Sequence, residues 1–310
     1  MDFEPNADQQ AILESVGALL AQHAGAKRAI ELNRNADYDR QLDAALEAAG
    51  FLGVALAEGT GLLEAALVVE AVAKAGGVVG IGASALVAPG LAGRALSGPI
   101  ALARGGDTGP VRFAAHARTL LVDAGAEAFH RTLAAGEVSP VTSNFMLPMG
   151  RIRVSQDRGE SLGPGSGERL RSLWRLALAA ETVGTMAACL ELTLEYVKRR
   201  RQFGRAIGSF QAVQHRLAQC AVAVEGSRWL VYEAAGQDAP PEAAAAAAAF
   251  ATAAAGLVFA ETHQFTGAMG FTREHDLHVW SMRLQGLRLE AGGVAGHRRA
   301  VAQERWCREP

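Results

Sequence analysis

The first part of the chain has apolar residues at helical spacing, with polar residues between them. Asp8 can cap a first helix that ends near Gln22, and a second short helix follows over 42–49. The stretch LLEAALVVEAVAKAGG, residues 62–77, has apolar positions that recur every three or four residues. The pattern therefore predicts an N-terminal helical domain over residues 1–97.

Beyond this domain, helical spacing gives way to short runs that favour β-structure. VRFAA (111–115), TLLVDA (119–124) and GRIRVSQ (150–156) are separated by Gly, Ala and Pro. The next segment, GESLGPGSG (159–167), has the composition of a loop. We expect a reduced middle β domain over residues 98–160, followed by this loop.

The last part of the chain returns to strong helical spacing. Pro240 and Pro241 open an alanine-rich stretch, and alanine is the best helix former. The order of the elements predicts a mainly α protein with a small β module and a C-terminal antiparallel four-helix bundle over residues 168–310. The helices expected there cover residues 168–200, 209–235, 241–267, 274–289 and 295–305.

Composition narrows the classes of function. Lys and Arg number 30 and Asp and Glu 32, a formal net charge of −2, which argues against a nucleic-acid partner. Cys189, Cys220 and Cys307 are far apart, which favours a reducing compartment over a disulfide framework. The acidic N-terminus is unlike a signal peptide, and the alanine-rich run 243–260 is more typical of a buried helix than of a membrane span. We expect a cytoplasmic protein with no membrane partner.

Two segments of the C-terminal region are distinctive. The first is YVKRRRQFGRAIGSFQAVQH, residues 196–215, and the second is QFTGAMGFTREHD, residues 264–276. They resemble the signatures Y-x-x-x-R-x-x-F-G…F-Q and Q-x-x-G-G-x-G-F-x-x-E of the flavin-dependent acyl-CoA dehydrogenases. The N-terminal GFLGVAL, residues 50–56, and the 62–77 stretch also resemble that family. The resemblance thus spans nearly the whole chain.

The residue types in these motifs suit the pyrophosphate of flavin adenine dinucleotide (FAD). Arg200 offers a planar, permanently charged set of donors for phosphate oxygens, and Gln202 and Gln211 offer neutral ones. The resemblance implies FAD as cofactor, held mainly by a neighbouring subunit of an oligomer. It assigns the FAD contacts of this chain to Arg200, Gln202, Phe203, Ile207, Phe210, Gln211, Gln264, Gly267 and Ala268, where Ala268 replaces a second glycine of the motif.

Single residues of the motifs also have ordinary structural explanations. The basic run 198–201 is typical of a solvated helix C-terminus, and Gly267 alone would be a helix terminator. The correct order and spacing of the whole set favour the flavin interpretation. The histidines have no spacing that suggests a metal site, so we predict none, and Glu274 is expected to cap the helix that follows it. These histidines are His215, His275 and His278.

The family reaction needs a carboxylate that removes the proton α to the carbonyl of an acyl-CoA thioester. Most members place this glutamate shortly after the second motif, and counting forward from Gly270 gives Ala291 here. Other members place it in the long helix before the first motif, and counting back from Tyr196 gives Trp174. Neither usual position of the base therefore holds a carboxylate.

Glu290 is the nearest substitute, one residue before Ala291. A shift of one residue turns a helical side chain by about 100°, so Glu290 could act only if the helix end were rearranged. Arg175, after Trp174, does match the family. The middle region departs from it: no T-E-P-x-x-G-S-D-like stretch occurs between residues 99 and 157, and every tryptophan lies beyond that region.

The leading hypothesis is a subunit resembling the shortened, degenerate type found in heterotetrameric acyl-CoA dehydrogenases that act on bulky, steroid-type CoA thioesters. A longer partner subunit would then supply the base for α,β-dehydrogenation, and an electron-transfer acceptor would reoxidise the flavin. A second hypothesis is a homo-oligomeric dehydrogenase that uses Glu290. A third is a non-enzymatic scaffold, against which the retained Arg200, Gln211 and Gln264 argue. All of these place the chain in or near lipid metabolism.

Overall fold

A computed structural model of the chain describes residues 4–106, 108–152 and 159–307. Its N-terminal region is helical. The stretch predicted over 62–77 forms the central helix of this region, which buries all but one of its leucine and valine side chains. A π-helical turn over 82–87 leads into the last helix of this region. The helices are α1 (Ala7–His23), α2 (Ala26–Arg34), α3 (Arg40–Ala48), α4 (Leu62–Lys74) and α5 (Ala88–Ala92).

The start of α1 differs from the prediction. Asn6, not Asp8, is the N-cap, and its side-chain oxygen accepts the backbone N–H of Gln9 at 2.9 Å. The Gln9 side chain accepts the backbone N–H of Asn6 in return at 3.0 Å, which completes a capping box. Asp8 lies in the first turn, where its negative charge complements the helix dipole.

The middle region forms two small sheets. The first has strand order β1-β3-β4-β7, with β1 and β3 parallel and the other pairs antiparallel. The second is antiparallel, in the order β2-β6-β5. The strands are β1 (Ile100–Arg104), β2 (Val111–Arg112), β3 (Thr119–Asp123), β4 (Glu127–Thr132), β5 (Val138–Val141), β6 (Met149–Ile152) and β7 (Glu160–Pro164).

Strand predictions in this region were right in part. The run 119–124 is β3, but the run 111–115 is a strand only at its first two residues, because Phe113 has a left-handed φ of 63° and starts a 3-10 turn. The segment 159–167 is not simply a loop, since β7 within it pairs with β4. Of the run 150–156, residues 153–156 lie outside the described residues.

The C-terminal helices form the predicted bundle, and the fold class is confirmed. The long helix α6 is buried through most of its length and contacts α4, α7, α8 and α9. A Cβ at Gly184 would lie 2.2 Å from the Glu70 carbonyl oxygen, so glycine is required where α6 crosses α4. The helices are α6 (Ser166–Arg199), α7 (Gln211–Gly236), α8 (Pro241–Thr266), α9 (Leu277–Leu287) and α10 (Gly293–Trp306).

Two features of this bundle bear on the sequence predictions. Helix α6 and the alanine-rich α8 are long and apolar enough to cross a bilayer, but both pack within the bundle. The prediction that Glu274 caps α9 is wrong: His275 Nδ1 accepts the backbone N–H of Leu277 at 3.1 Å instead. The domain limits 1–97, 98–160 and 168–310 stay a prediction.

Candidate flavin-contacting surface and central cavity

The first motif forms a turn between α6 and α7. Arg200 is the C-cap of α6, and the strands β8 (Arg201–Gln202) and β9 (Arg205–Ala206) follow it as a small hairpin. Phe203 and Gly204 make the turn of this hairpin with φ values of 53° and 78°. Two consecutive positive φ angles are typical of a tight type I′ turn. The turn leaves the Phe203 ring 89% exposed.

Aromatic contacts fix the other end of the first motif. The Phe210 ring meets the Phe203 ring edge-on at a centroid distance of 6.1 Å. The Arg205 guanidinium lies 4.0 Å from the Phe210 centroid, within the range of a cation–π contact. Ile207 is half-buried beside them, and Gln211 begins α7 with its side chain exposed. The motif is therefore an ordered surface feature.

The second motif ends α8. Gln264 is exposed in the last turn, and Gly267 follows the helix with φ 58° and ψ −144°, a conformation that favours glycine. Ala268 is exposed as well, so its methyl group meets no crowding within this chain. A Cβ at Gly270 would lie 2.0 Å from Thr266 Oγ1. The two retained glycines thus have different causes: backbone conformation at Gly267 and packing at Gly270.

Contacts between α7 and α8 bring the two motifs together. Arg216 Nε lies 2.7 Å from Glu261 Oε2, and the same guanidinium lies 5.0 Å from the centroid of the Phe265 ring. Tyr196, at the end of α6, meets His275 edge-on at 5.6 Å. Residues 45 or more positions apart in sequence are thereby held together in the bundle.

The polar side chains of this face are exposed and available. Within residues 4–106, 108–152 and 159–307, no hydrogen bond or ion pair holds the side chains of Arg200, Gln202, Gln211 or Gln264. A guanidinium and three amides, next to two aromatic rings, fit the phosphate and adenine side of a dinucleotide. We call this the flavin-motif surface: Arg200, Gln202, Phe203, Ile207, Phe210, Gln211, Gln264, Gly267 and Ala268.

A cavity of about 350 Å³ lies apart from that surface, between the β module and α6. Its size falls within the range of small-molecule sites. No residue of the flavin-motif surface is among those that line it. The walls are mostly apolar and include Ile100, Leu102, Phe113, Phe145, Leu147 and Leu287. The polar groups of the lining are concentrated around Arg112 and the turn that precedes α10.

Ala291 and Trp174, the two positions where the family usually places its base, both line this cavity. The side chain of Trp174 donates its Nε1–H to Glu290 Oε1 at 2.7 Å. Glu290 reaches the cavity because residues 290–292 form a 3-10 turn in which Ala291 has the left-handed angles φ 51° and ψ 34°. Arg104 Nη2 donates to the Ala291 carbonyl at 2.9 Å and holds this turn. The helix end is thus rearranged, as an inward-pointing Glu290 requires.

Arg112 occupies the charged end of the cavity. Its guanidinium binds both oxygens of Glu290, with Nε to Oε2 at 3.0 Å and Nη2 to Oε1 at 3.2 Å. Its Nη1 also forms a short ion pair with Glu181, which is buried on α6. Burial raises the pKa of Glu181, while the attraction of Arg112 opposes that shift. We call Glu181, Arg112 and Glu290 the cavity triad.

Sequence reasoning missed Arg112 and Glu181. Each lies in an unremarkable run, and 69 residues separate them. Arg112 is the last residue of a two-residue strand, so no alternating pattern marked its orientation. Only the folded chain brings the two side chains together in an ion pair.

Comparisons with known proteins agree with this fold and these motifs. The family model described as "Acyl-CoA dehydrogenase, N-terminal domain" matches residues 6–96, and "Acyl-CoA dehydrogenase, C-terminal domain" matches residues 172–305. The chain therefore belongs to the acyl-CoA dehydrogenase family, and FAD is the cofactor that this membership indicates.

Among individual proteins, the chain is 38% identical over 142 residues to the acyl-CoA dehydrogenase IpdE2 of Mycobacterium tuberculosis. That match covers 46% of this chain and 44% of IpdE2, less than half of either. The ChsE4-ChsE5 complex from Mycobacterium tuberculosis contains a chain that matches with a TM-score of 0.83 and 25% identity over the full length of both. The Tcur3481-Tcur3483 steroid ACAD matches with a TM-score of 0.81 and 24% identity, covering 96% of this chain and 97% of the other.

Proposed function

We propose that the chain is a subunit of a heteromeric acyl-CoA dehydrogenase that contributes flavin contacts without contributing the catalytic base. The flavin-motif surface would bind the phosphate and adenine side of an FAD seated mainly on a longer partner subunit. That partner would supply the carboxylate for α,β-dehydrogenation of an acyl-CoA thioester. An electron-transfer acceptor would complete the cycle.

The observation that carries this proposal is the state of the donors in the flavin-motif surface. Arg200 and its neighbouring glutamines have no partner within the described ranges, although the motif that contains them is ordered. Charged donors that recognise phosphate form stronger hydrogen bonds than neutral donors. A scaffold that only packs helices has no use for such a set. FAD, when bound, accepts hydride from the β carbon of the substrate.

The cavity triad supports placing the base on the partner. A general base needs a lone pair directed at the proton that it removes. Both oxygens of Glu290 already accept hydrogen bonds, two from Arg112 and one from Trp174. Bidentate pairing with a guanidinium stabilises the ionised carboxylate and opposes its protonation. Glu181 is tied to the same guanidinium.

The class of substrate is proposed by analogy with the structural relatives. One solved relative is described as a steroid ACAD, and the other as a complex of two differently named chains. We therefore propose a bulky, steroid-type CoA thioester as the substrate of the assembled enzyme.

The proposal is tested by flavin content. The chain should be purified alone and also co-expressed with the longer acyl-CoA-dehydrogenase-like chain from its own organism, and visible flavin absorbance measured per chain. We expect little flavin on the isolated chain and stable flavin in the heteromer. Flavin bound in equal amount by the isolated chain, together with turnover of acyl-CoA, would refute the proposal.

A second candidate function is a homo-oligomeric dehydrogenase, which the inward position of Glu290 favours. Glu290→Gln separates the two. If Glu290 is the base, this variant abolishes reduction of bound flavin by substrate. If the partner supplies the base, the heteromer that contains Glu290→Gln reduces its flavin at the wild-type rate.

A further inference from the structure

A histidine in the last turn of α8 is buried without a hydrogen-bond partner. His263 is 6% exposed, and neither of its ring nitrogens has a partner within the part of the chain that the structure describes. Buried polar groups are nearly always hydrogen-bonded, so this imidazole calls for an explanation. Its neighbours along the chain, Gln264 and Gly267, belong to the flavin-motif surface.

Two phenylalanine rings lie against this imidazole. The centroid of the His263 ring is 4.4 Å from that of Phe259, one turn earlier on α8, and 4.6 Å from that of Phe271. Phe271 is 74% exposed whereas His263 is buried, so the Phe271 ring shields the imidazole from solvent. Phe271 is also the last residue of the 3-10 turn over 267–271, which follows α8. The ring contact therefore ties the far end of this turn to the helix.

The backbone of the same turn packs against the imidazole. A Cβ at Gly270 would lie 3.4 Å from His263 Nδ1 and 2.0 Å from Thr266 Oγ1, so this position has room for glycine alone. The hydrogen bonds of a 3-10 turn are weaker than those of an α-helix. Packing on His263 therefore contributes to holding the turn in place.

A proton on His263 would make both ring nitrogens donors. Two buried N–H groups without acceptors, on a ring that now carries a charge, cost more free energy than the neutral imidazole does. An aromatic face attracts a cation, but it does not accept hydrogen bonds as water does. The cost is relieved if Phe271 moves away and water reaches the ring.

Charged groups of the elements around this end of α8 are paired among themselves or exposed. The turn over 267–271 has no titratable side chain of its own. Burial alone lowers the pKa of His263. The exposed groups are Arg273, Glu274 and Asp276, and the paired groups are Glu261 with Arg216 of α7, Glu191 of α6 with Lys74, Glu195 of α6 with Lys198 and Arg199, His275 with the Tyr196 ring, His278 with the His275 carbonyl oxygen, Arg283 of α9 with the Gly76 and Gly77 carbonyl oxygens, and Arg305 of α10 with Glu242.

We infer that His263 and Phe271 form an acid-sensitive latch, which holds the turn over 267–271 against α8 while the imidazole is neutral and releases the turn when the imidazole takes up a proton. Gly267 and Ala268 of this turn belong to the flavin-motif surface, so opening of the latch changes that surface. The inference does not rest on the proposed function, because every contact of the latch lies within this chain.

NMR of isotope-labelled methionine methyl groups in the purified full chain tests the latch. The chain has 6 methionines, and Met269 lies in the turn itself and is 39% exposed. The pKa of His263 lies below its ordinary 6.5, so the latch is closed above pH 6.5 and opens below it. Between about pH 7.5 and about pH 5 we expect the Met269 signal to shift with a midpoint below 6.5. The signal of the buried Met186 on α6 should not move, and circular dichroism confirms that the chain stays folded.

His263→Leu fills a similar space without a titrating group and should abolish the Met269 shift. His275→Asn is the matched control, since His275 is the next histidine after the turn, and this variant should keep the shift. Phe271→Ala uncovers the imidazole and should raise the midpoint toward 6.5. It also tests the latch if His263→Leu does not fold.

Three results would overturn the inference. The first is a Met269 signal that does not move while the chain is folded. The second is a shift that persists in His263→Leu, which would assign it to another group. The third is a midpoint that stays unchanged in Phe271→Ala, which would mean that the Phe271 ring does not shield the imidazole.

Discussion

The flavin-motif surface and the cavity triad hold similar polar groups in opposite states. Arg200 is exposed and, within the described ranges, has no side-chain partner. Arg112 is largely buried and binds two carboxylates. A buried ion pair that is fully hydrogen-bonded needs no further ligand, whereas an ordered exposed donor set is available to one. The flavin-motif surface therefore has polar groups that a ligand or another subunit can bind, whereas the charges of the cavity triad are satisfied within the chain.

The largest effect is expected from breaking the triad. Arg112→Met would leave the buried Glu181 and the half-buried Glu290 without their shared cationic partner, which costs about 3–5 kcal/mol of unfolding free energy. Urea unfolding measures the loss. Adding Glu181→Gln and Glu290→Gln to the same chain should recover most of it, because no charge is then left unpaired.

The control for the triad is an exposed pair of the same kind. Arg199 pairs with Glu195 one helical turn away at 2.9 Å, with most of the Arg199 side chain in solvent. Arg199→Met should cost less than about 1 kcal/mol. If both methionine variants lose the same amount, the triad is not a buried network.

The next effect concerns stability in acid and arises at His297, which is buried on α10. The pKa of His297 is lowered from its ordinary 6.5 to about 4, chiefly by burial. As the pH falls from 6.5 to 4, the unfolded chain takes up a proton that the folded chain refuses, so this contribution is full above pH 6.5 and is lost toward pH 4. His297→Asn should lessen the decline in stability over this window by roughly 3 kcal/mol.

Unfolding free energies at several pH values between 4 and 7 measure that effect. His215→Asn is the matched control, since His215 is exposed on α7. A wild-type slope in the His297 variant would show that the imidazole titrates normally in the folded chain.

A smaller effect is expected on the flavin-motif surface. Arg200→Gln should lower the flavin affinity of the heteromer by about 10- to 100-fold, the loss of a charge-assisted phosphate contact of roughly 1.5–3 kcal/mol. The stability of the isolated chain should change by less than about 0.5 kcal/mol, because the side chain is exposed. Arg201→Gln, in the same hairpin, is the control. Equal flavin loss in both variants would mean that flavin binding depends on the total positive charge of the hairpin and not on Arg200 in particular.

The smallest effect is expected at the hairpin tip. Phe203 has φ 53°, and asparagine tolerates this left-handed conformation better than phenylalanine does. Phe203→Asn should therefore stabilise the isolated chain by up to about 1 kcal/mol in thermal unfolding. It should also speed flavin release from the heteromer. Destabilisation of the isolated chain would mean that the edge-on contact of Phe203 with Phe210 contributes more than the backbone strain costs.

Local and periodic features could be predicted from the sequence. The helices of the bundle follow from apolar spacing, since α6, α7 and α8 are long and their ends carry Pro or Gly signals. The motifs at 196–215 and 264–276 carry residue types whose chemistry is readable without coordinates. Short strands were harder, because β1 and β7 depend on pairing with strands distant in sequence.

Only the tertiary structure decided how the charged side chains in the cavity are paired. The sequence showed that Ala291 and Trp174 stand where a base is expected and that Glu290 is nearby. It could not show the left-handed turn at Ala291 that directs Glu290 inward, nor Arg112, which reaches it from a strand 178 residues earlier. A motif is contiguous, so it can be recognised in the sequence. A buried ion network is assembled by packing between segments that are distant in sequence, so it cannot. The sequence by itself therefore determined the family, and the fold determined that Glu181 and Glu290 are both paired with Arg112.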